Sequence, residues 1–140
     1  MNKGKILYKQ IEMVLPRVLG FLDNDFSSES YGIADRYYWA WGLIDFGNAT
    51  YQGISHGLSR LWTAGLWPYD TGFEVFLERI DRIFNGAKKL TRSDGSLEEA
   101  FPYEGSYCVT ALVAFDLLVT FDLLAEQLDE NKKDDWLSII

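Results

Sequence analysis

The sequence predicts an all-α chain of about six helices joined by short polar connections. Three observations carry that prediction. Apolar residues recur at i, i+3, i+4 and i+7 in several separate stretches, and turn formers fall between those stretches. No segment alternates with a period of two for long enough to make a strand.

The first helix is expected over Lys5–Leu22, where Leu7, Ile11, Val14, Val18 and Leu22 share a face, with Pro16 kinking it or splitting it in two. Asp23–Gly32 is polar and rich in turn formers, so it connects. Asp35 starts a short aromatic helix, Arg36–Phe46, which Gly47 and Asn48 break. Asn48 suits the N-cap of a helix over Ala49–Ala64, because its side-chain oxygen reaches a free amide of the first turn. On that helix Tyr51, Ile54, Leu58 and Leu61 form an apolar stripe, while Asn48, Gln52, His56 and Arg60 follow an i, i+4 polar row. Gly53 and Gly57 share a second row. Each glycine costs a helix about 1 kcal/mol relative to alanine, so the pair predicts a neighbouring backbone passing close.

Gly65–Asp70 is a loop holding Trp67 and Pro68. Thr71 with Glu74 fits a capping box in front of the cleanest amphipathic stripe: Phe73, Phe76, Leu77, Ile80, Ile83 and Phe84. Glu78 and Arg82 support it at i, i+4. Asn85-Gly86 either ends this helix or lets it run on through Leu90. Asp94-Gly95 marks a turn, and Ser96–Tyr103 forms an acidic, aromatic loop with Pro102. A long apolar helix follows over Glu104–Leu128, and a last one begins near Glu130 and carries Trp136, Leu137, Ile139 and Ile140. That apolar end either folds back onto the core or is covered by a second copy or a further C-terminal domain. The segments Phe46–Tyr51 and Phe101–Tyr107 hint at a repeat, with their tyrosines 56 positions apart, as in an array of helical hairpins.

At 140 residues a single domain spanning 1–140 is expected. Thirteen Lys and Arg against 21 Asp and Glu leave a net charge of −8, so a phosphate-neutralising surface is missing and nucleic acid is not expected as a partner. A hydrophobic share of 48% supports a core and excludes disorder. The lone Cys108 excludes an internal disulfide and fits a reducing compartment. Lys9, Gln10, Glu12 and Arg17 interrupt the N-terminal apolar residues, so no signal peptide is expected. Ser106–Ala125 approaches membrane length, but Asp116 and Asp122 each cost about 2.5–3.5 kcal/mol at a bilayer centre. The segment is therefore expected as a buried core helix, with no membrane partner and a cytoplasmic location.

The run Tyr31–Tyr69 holds ten aromatic residues, and Tyr and Trp tips need hydrogen-bond partners. Flat rings with polar edges suit sugar rings, and an aromatic core with its ring edges at the surface is the competing reading. His56, the single histidine, is either a general base or part of a solvent-facing polar stripe. Glu98, Glu99 and Glu104 flank an aromatic loop, and Glu104 is sufficiently explained by the helix dipole. Asp116 and Asp122 fall on different faces of one helix, while Asp116 and Thr120 suit a hydrogen bond inside the bundle. One His and one Cys without ligand spacing predict no metal, and no phosphate-binding loop predicts a nucleotide, so no cofactor is expected.

Asp35-Arg36-Tyr37-Tyr38-Trp39-Ala40-Trp41, followed by Asp45-Phe46-Gly47-Asn48-Ala49-Thr50-Tyr51-Gln52, resembles the N-terminal helical region of heparinase II/III-like proteins. So does Asp94-Gly95-Ser96-Leu97-Glu98-Glu99-Ala100-Phe101-Pro102-Tyr103-Glu104-Gly105-Ser106-Tyr107. The resemblance spans about Ser30–Leu124. It implies an α/α toroid, of which this chain would form a partial turn of antiparallel helical hairpins, and a polysaccharide-lyase chemistry of β-elimination at a uronic acid. Such a reaction uses a base for the proton beside the carboxylate, an amide or guanidinium to neutralise that carboxylate, and a tyrosine to protonate the leaving oxygen. By residue type, the resemblance assigns His56, Tyr51, Tyr103 and Asn48 to catalysis. It assigns Arg36, Tyr37, Tyr38, Trp39, Trp41, Gln52, Glu104 and Tyr107 to substrate binding. Gly105 stands where the pattern carries histidine, and the β-sandwich domain that follows such toroids has no counterpart in this sequence. The expectation is thus an oligo- or polysaccharide-binding domain, catalytically incomplete by itself. Its rivals are an active uronate lyase and a non-enzymatic helical interaction module.

Overall fold

A computed structural model describes residues 3–99, 101, 105 and 107–140. Among them the chain forms six α-helices: α1 (Lys3–Leu19), α2 (Arg36–Trp39), α3 (Ile54–Thr63), α4 (Phe73–Leu90), α5 (Tyr107–Leu124) and α6 (Glu130–Leu137). Extended pairing among the described residues is limited to two isolated antiparallel bridges, Thr91 with Leu97 and Glu98 with Gly105. The protein is all-α.

Several boundaries differ from expectation for local reasons. Pro16 does not split α1, which runs unbroken from Lys3 to Leu19 and carries the proline in its last turn. α2 is a single turn, capped by Asp35 and ended before Gly42, whose φ of 55° leaves the right-handed helical region. The expected helix over Ala49–Ala64 is two elements. Asn48 caps a tight 3₁₀ turn, Ala49–Gly53, and only then does α3 begin. The capping box before α4 does not form: the N-cap is Gly72, and the Thr71 hydroxyl instead accepts the indole N–H of Trp67 at 3.1 Å. α4 runs straight through Asn85-Gly86 to Leu90.

α4 supplies the centre of the core with Phe76, Ile80, Ile83, Phe84 and Ala87, all essentially without solvent exposure. Leu58 of α3 and Val113, Leu117 and Leu124 of α5 close over it. The apolar C-terminus folds back: Trp136 is fully buried and stacks on Phe84 with ring centroids 4.0 Å apart. Its indole N–H donates to Asp81 at 2.8 Å, and the same carboxylate oxygen accepts from Lys132 Nζ at 2.8 Å.

α5 departs from the expected buried core helix. It is long and apolar enough to cross a membrane by length and composition, yet only 22% of that span is buried. One side packs on the core, and Leu112, Phe115 and Leu118 face outward.

One side chain ties the centre together. Gln52 is fully buried, and its carboxamide oxygen accepts from the Ala34 amide at 2.7 Å. Its nitrogen donates to the carbonyls of Ile83 at 2.7 Å and Gly32 at 3.1 Å. Gly32 and Gly86 meet there, backbone to backbone; a Cβ on Gly86 would overlap the Gly32 carbonyl, and Gly32 itself holds a φ of 89°. The close approach predicted for Gly53 and Gly57 thus occurs elsewhere. Gly53 instead makes room for the Asp116 carboxylate, and a Cβ at Gly57 would meet nothing within 4 Å.

Gln52→Leu is expected to strand the Gly32 carbonyl and the Ala34 amide at about 1–3 kcal/mol each, while the Ile83 carbonyl keeps its bond within α4, lowering stability in urea by a few kcal/mol. A loss below about 1 kcal/mol would refute the tether. The hydrogen bond to Asp81 is the main reason Lys132 stays protonated above its ordinary 10.5. Folding therefore favours the charged amine, and this contribution is fully present below pH 10.5 and lost as the pH rises through the higher folded value. The stability gap between the wild-type chain and Lys132→Met should accordingly be open at about pH 9 and narrow as the pH rises beyond 10.5.

Candidate functional site

The aromatic run divides into two populations. Trp62, Trp67 and Tyr69 join Phe73 and Phe76 in a cluster under the α3–α4 connection, with Trp62 stacked on Phe76 at 4.5 Å. These rings are packing residues. The second population sits on α2 and the turn after it. Tyr37 and Trp41 meet edge to face at 5.1 Å and remain 43% and 54% exposed. The Arg36 guanidinium lies 5.6 Å from the Trp41 ring and 5.9 Å from Trp39. Such contacts hold the planar cation in place, Nη1 also donates to the Gly20 carbonyl at 3.4 Å, and the remaining N–H groups carry no other hydrogen bond among the described residues.

This corner stands on a fixed base. Asp35, 1% exposed, accepts the Tyr37 amide with one oxygen at 3.0 Å and the Asn48 amide with the other at 3.0 Å. The Trp39 indole donates to the Phe21 carbonyl at 2.8 Å. Tyr51 stacks on Phe21 at 5.9 Å, and burial pushes its phenol above 10, with Asp35 and Tyr37 adding to the shift. At neutral pH it is a proton donor and not a base. Tyr38 is half-buried against the core.

A polar cluster lies on the seam between α3 and α5. His56 Nδ1 sits 2.9 Å from the Asp116 carboxylate, and Arg60 Nε donates to His56 Nε2 at 3.1 Å. The imidazole and carboxylate side chains are 25% and 20% exposed, and Phe115 covers the ring edge-on at 6.3 Å. Since an arginine Nε can only donate, Nε2 is the acceptor and the neutral ring carries its proton on Nδ1, toward Asp116. Deeper in the seam the Thr120 hydroxyl donates to the Asp116 carbonyl at 2.7 Å and lies 3.1 Å from Ser55 Oγ.

The residues assigned by resemblance do not share one hollow. Arg36, Tyr37, Trp39 and Trp41 come together, with Tyr51 at their margin. Gln52 is removed from any surface by its three backbone bonds. The Asn48 side chain accepts the Thr50 amide as a cap. His56 belongs to the α3–α5 seam, and Tyr107 is 90% exposed at the start of α5. Tyr103 and Glu104 lie outside the described residues. The polar row Asn48, Gln52, His56, Arg60 is broken because its first half lies in a 3₁₀ turn, which advances by a different angle from an α-helix. Asp116 is the partner that sequence reasoning missed; an acid in an apolar helix and a lone histidine were the available signals. No protein-family model, curated protein or solved structure matches this chain.

The proton assignment is checked by ¹⁵N NMR of the ring. In the neutral ring the Nδ1–H tautomer of His56 should dominate, and Arg60→Met should shift the population toward Nε2–H. A wild-type Nε2–H ring would contradict the Asp116–His56–Arg60 order.

Proposed function

We propose that the chain is a saccharide-binding helical domain, a sector of an α/α toroid, that lays a sugar ring on the Arg36–Tyr37–Trp41 corner. One observation carries this reading: two partly exposed rings, packed edge to face, and a guanidinium stand together on a base that Asp35 holds. A pyranose has an apolar face for Trp41 and equatorial hydroxyls for polar neighbours. A uronate adds a carboxylate that matches the paired donors of Arg36. On an acidic chain, that cation is the local attraction for such a sugar.

A second reading, a uronate lyase, has the His56–Asp116 pair in its favour, because a carboxylate on Nδ1 orients an imidazole for proton transfer. Use of Nε2 as the base requires Arg60 to swing away.

Calorimetric titration with an oligouronate and with a neutral oligosaccharide of equal length separates these readings. Binding is expected with a dissociation constant on the order of 1 mM or tighter, favouring the uronate, and Trp41→Ala should weaken it about tenfold, or 1.4 kcal/mol. Absence of binding to both sugars, or an unchanged Trp41→Ala, ends the proposal. Near-ultraviolet absorbance of an unsaturated uronate, lost in His56→Ala, would move the assignment to the lyase.

A further inference from the structure

Residues 19–24 serve two neighbours. The Gly20 and Phe21 carbonyls accept from Arg36 and Trp39 of the aromatic corner. Leu19, Leu22 and Asn24 instead line a cavity of about 270 Å³, which Val75, Arg79 and Arg82 of α4 complete. Ligand pockets start at about 300 Å³, so this one suits a small molecule. No residue of the corner or of the α3–α5 seam lines it.

The two arginines are the only charged residues of the lining, on a chain with a net charge of −8. They stand three positions apart on α4, so their side chains are neighbours. Arg82 is fixed in place. Its Nη1 donates to the Asn24 side-chain oxygen and its Nη2 to Glu78, each at 2.8 Å, and its guanidinium lies 5.6 Å from the Tyr31 ring. Its Nε is buried and has no acceptor among the described residues. Buried donors almost always find a partner, so this one calls for an acceptor from outside the chain. The Arg79 guanidinium lies 5.9 Å from the Trp67 ring and 5.9 Å from the Tyr69 ring, and it makes no hydrogen bond or ion pair among the described residues. The rings hold it while its charge stays without a counter-ion. Glu78, whose side chain is 61% exposed, answers Arg82 alone and does not line the cavity.

We infer that this cavity binds a small monocarboxylate with a compact apolar body, such as a branched-chain acid, its carboxylate between Arg79 and Arg82. A carboxylate is planar and takes paired N–H donors from arginine, and it brings the acceptor that Arg82 Nε lacks. Leu19, Leu22 and Val75 take the hydrocarbon part out of water. These apolar walls decide against inorganic phosphate, whose hydration they cannot replace. They decide equally against a uronate, whose hydroxyls they would leave unpaired. This inference does not rest on saccharide binding.

Titration of the chain with isovalerate, followed by the backbone amide and arginine Nε–H signals in NMR, is expected to give a dissociation constant on the order of 1 mM. Shifts should centre on Leu19, Asn24 and Arg79, include the Arg82 Nε–H, and spare the Trp41 indole. Neutral isovaleramide and inorganic phosphate should each bind at least about tenfold more weakly. Arg79→Gln should keep the far-ultraviolet circular dichroism and weaken isovalerate binding at least about tenfold. Val75→Glu, at an exposed position of α4, sets a like charge against the ligand and should abolish binding. Trp41→Ala should leave it unchanged. Absence of isovalerate binding overturns the inference, as does an amide or phosphate that binds as tightly as the acid. So does isovalerate binding indifferent to Arg79→Gln and Val75→Glu, or lost in Trp41→Ala.

Discussion

Two buried backbone groups, the Gly32 carbonyl and the Ala34 amide, depend on the single carboxamide of Gln52, which also ties them to the Ile83 carbonyl of α4. The Gly32–Ala34 segment has no helix or sheet to satisfy it, and Ile83 lies in the middle of α4. Without an internal donor and acceptor at this point, polar groups would be buried without partners, at a cost comparable to a sizeable part of a domain's stability. The tether needs close approach, and the contact of Gly32 with Gly86 permits it. From this node the chain leaves in both directions. Asp35 follows Ala34 directly and holds the aromatic corner, while α3 follows Gln52 and carries the seam with α5.

The node also redirects function. A side chain that looks like a ligand for sugar hydroxyls is consumed by the fold, and so is the amide of Asn48. Of the residues assigned by resemblance, Arg36, Tyr37 and Trp41 stay together at the surface, on α2 and the turn after it. Rigidity there comes from caps and an indole hydrogen bond beneath the rings, so ligand contact requires little ordering of the protein. The α3–α5 seam is built differently. Asp116, His56 and Arg60 satisfy one another, and the space for Asp116 exists because position 53 is glycine.

The exposed apolar surface follows from the same division of labour. α4 has one apolar stripe and spends it entirely on the core. α5 is apolar on nearly every side, and the core takes Val113, Leu117, Thr120 and Leu124 fully, with Val109, Phe121 and Leu123 packed partly against it. Its remaining face, with the neighbouring groove of α1 and α3, stays open in the single chain. Apolar area of this kind is what association removes from water.

The sequence by itself determined the all-α class, the Asn48 cap, the Asp94-Gly95 turn and the stripe of α4, because each depends on residues within about one helical turn of one another. It also pointed to the aromatic surface at Arg36–Trp41. It did not determine the break at Gly53, since a 3₁₀ turn and an α-helix demand similar local residues. Only the tertiary structure decided that Gln52 is buried, that Asp116 lies 60 positions from its histidine partner, and which face of α5 meets the core. Long-range pairing leaves no periodic trace in the chain. A helix apolar all round carries no direction in its pattern, so its inside is chosen by what packs against it.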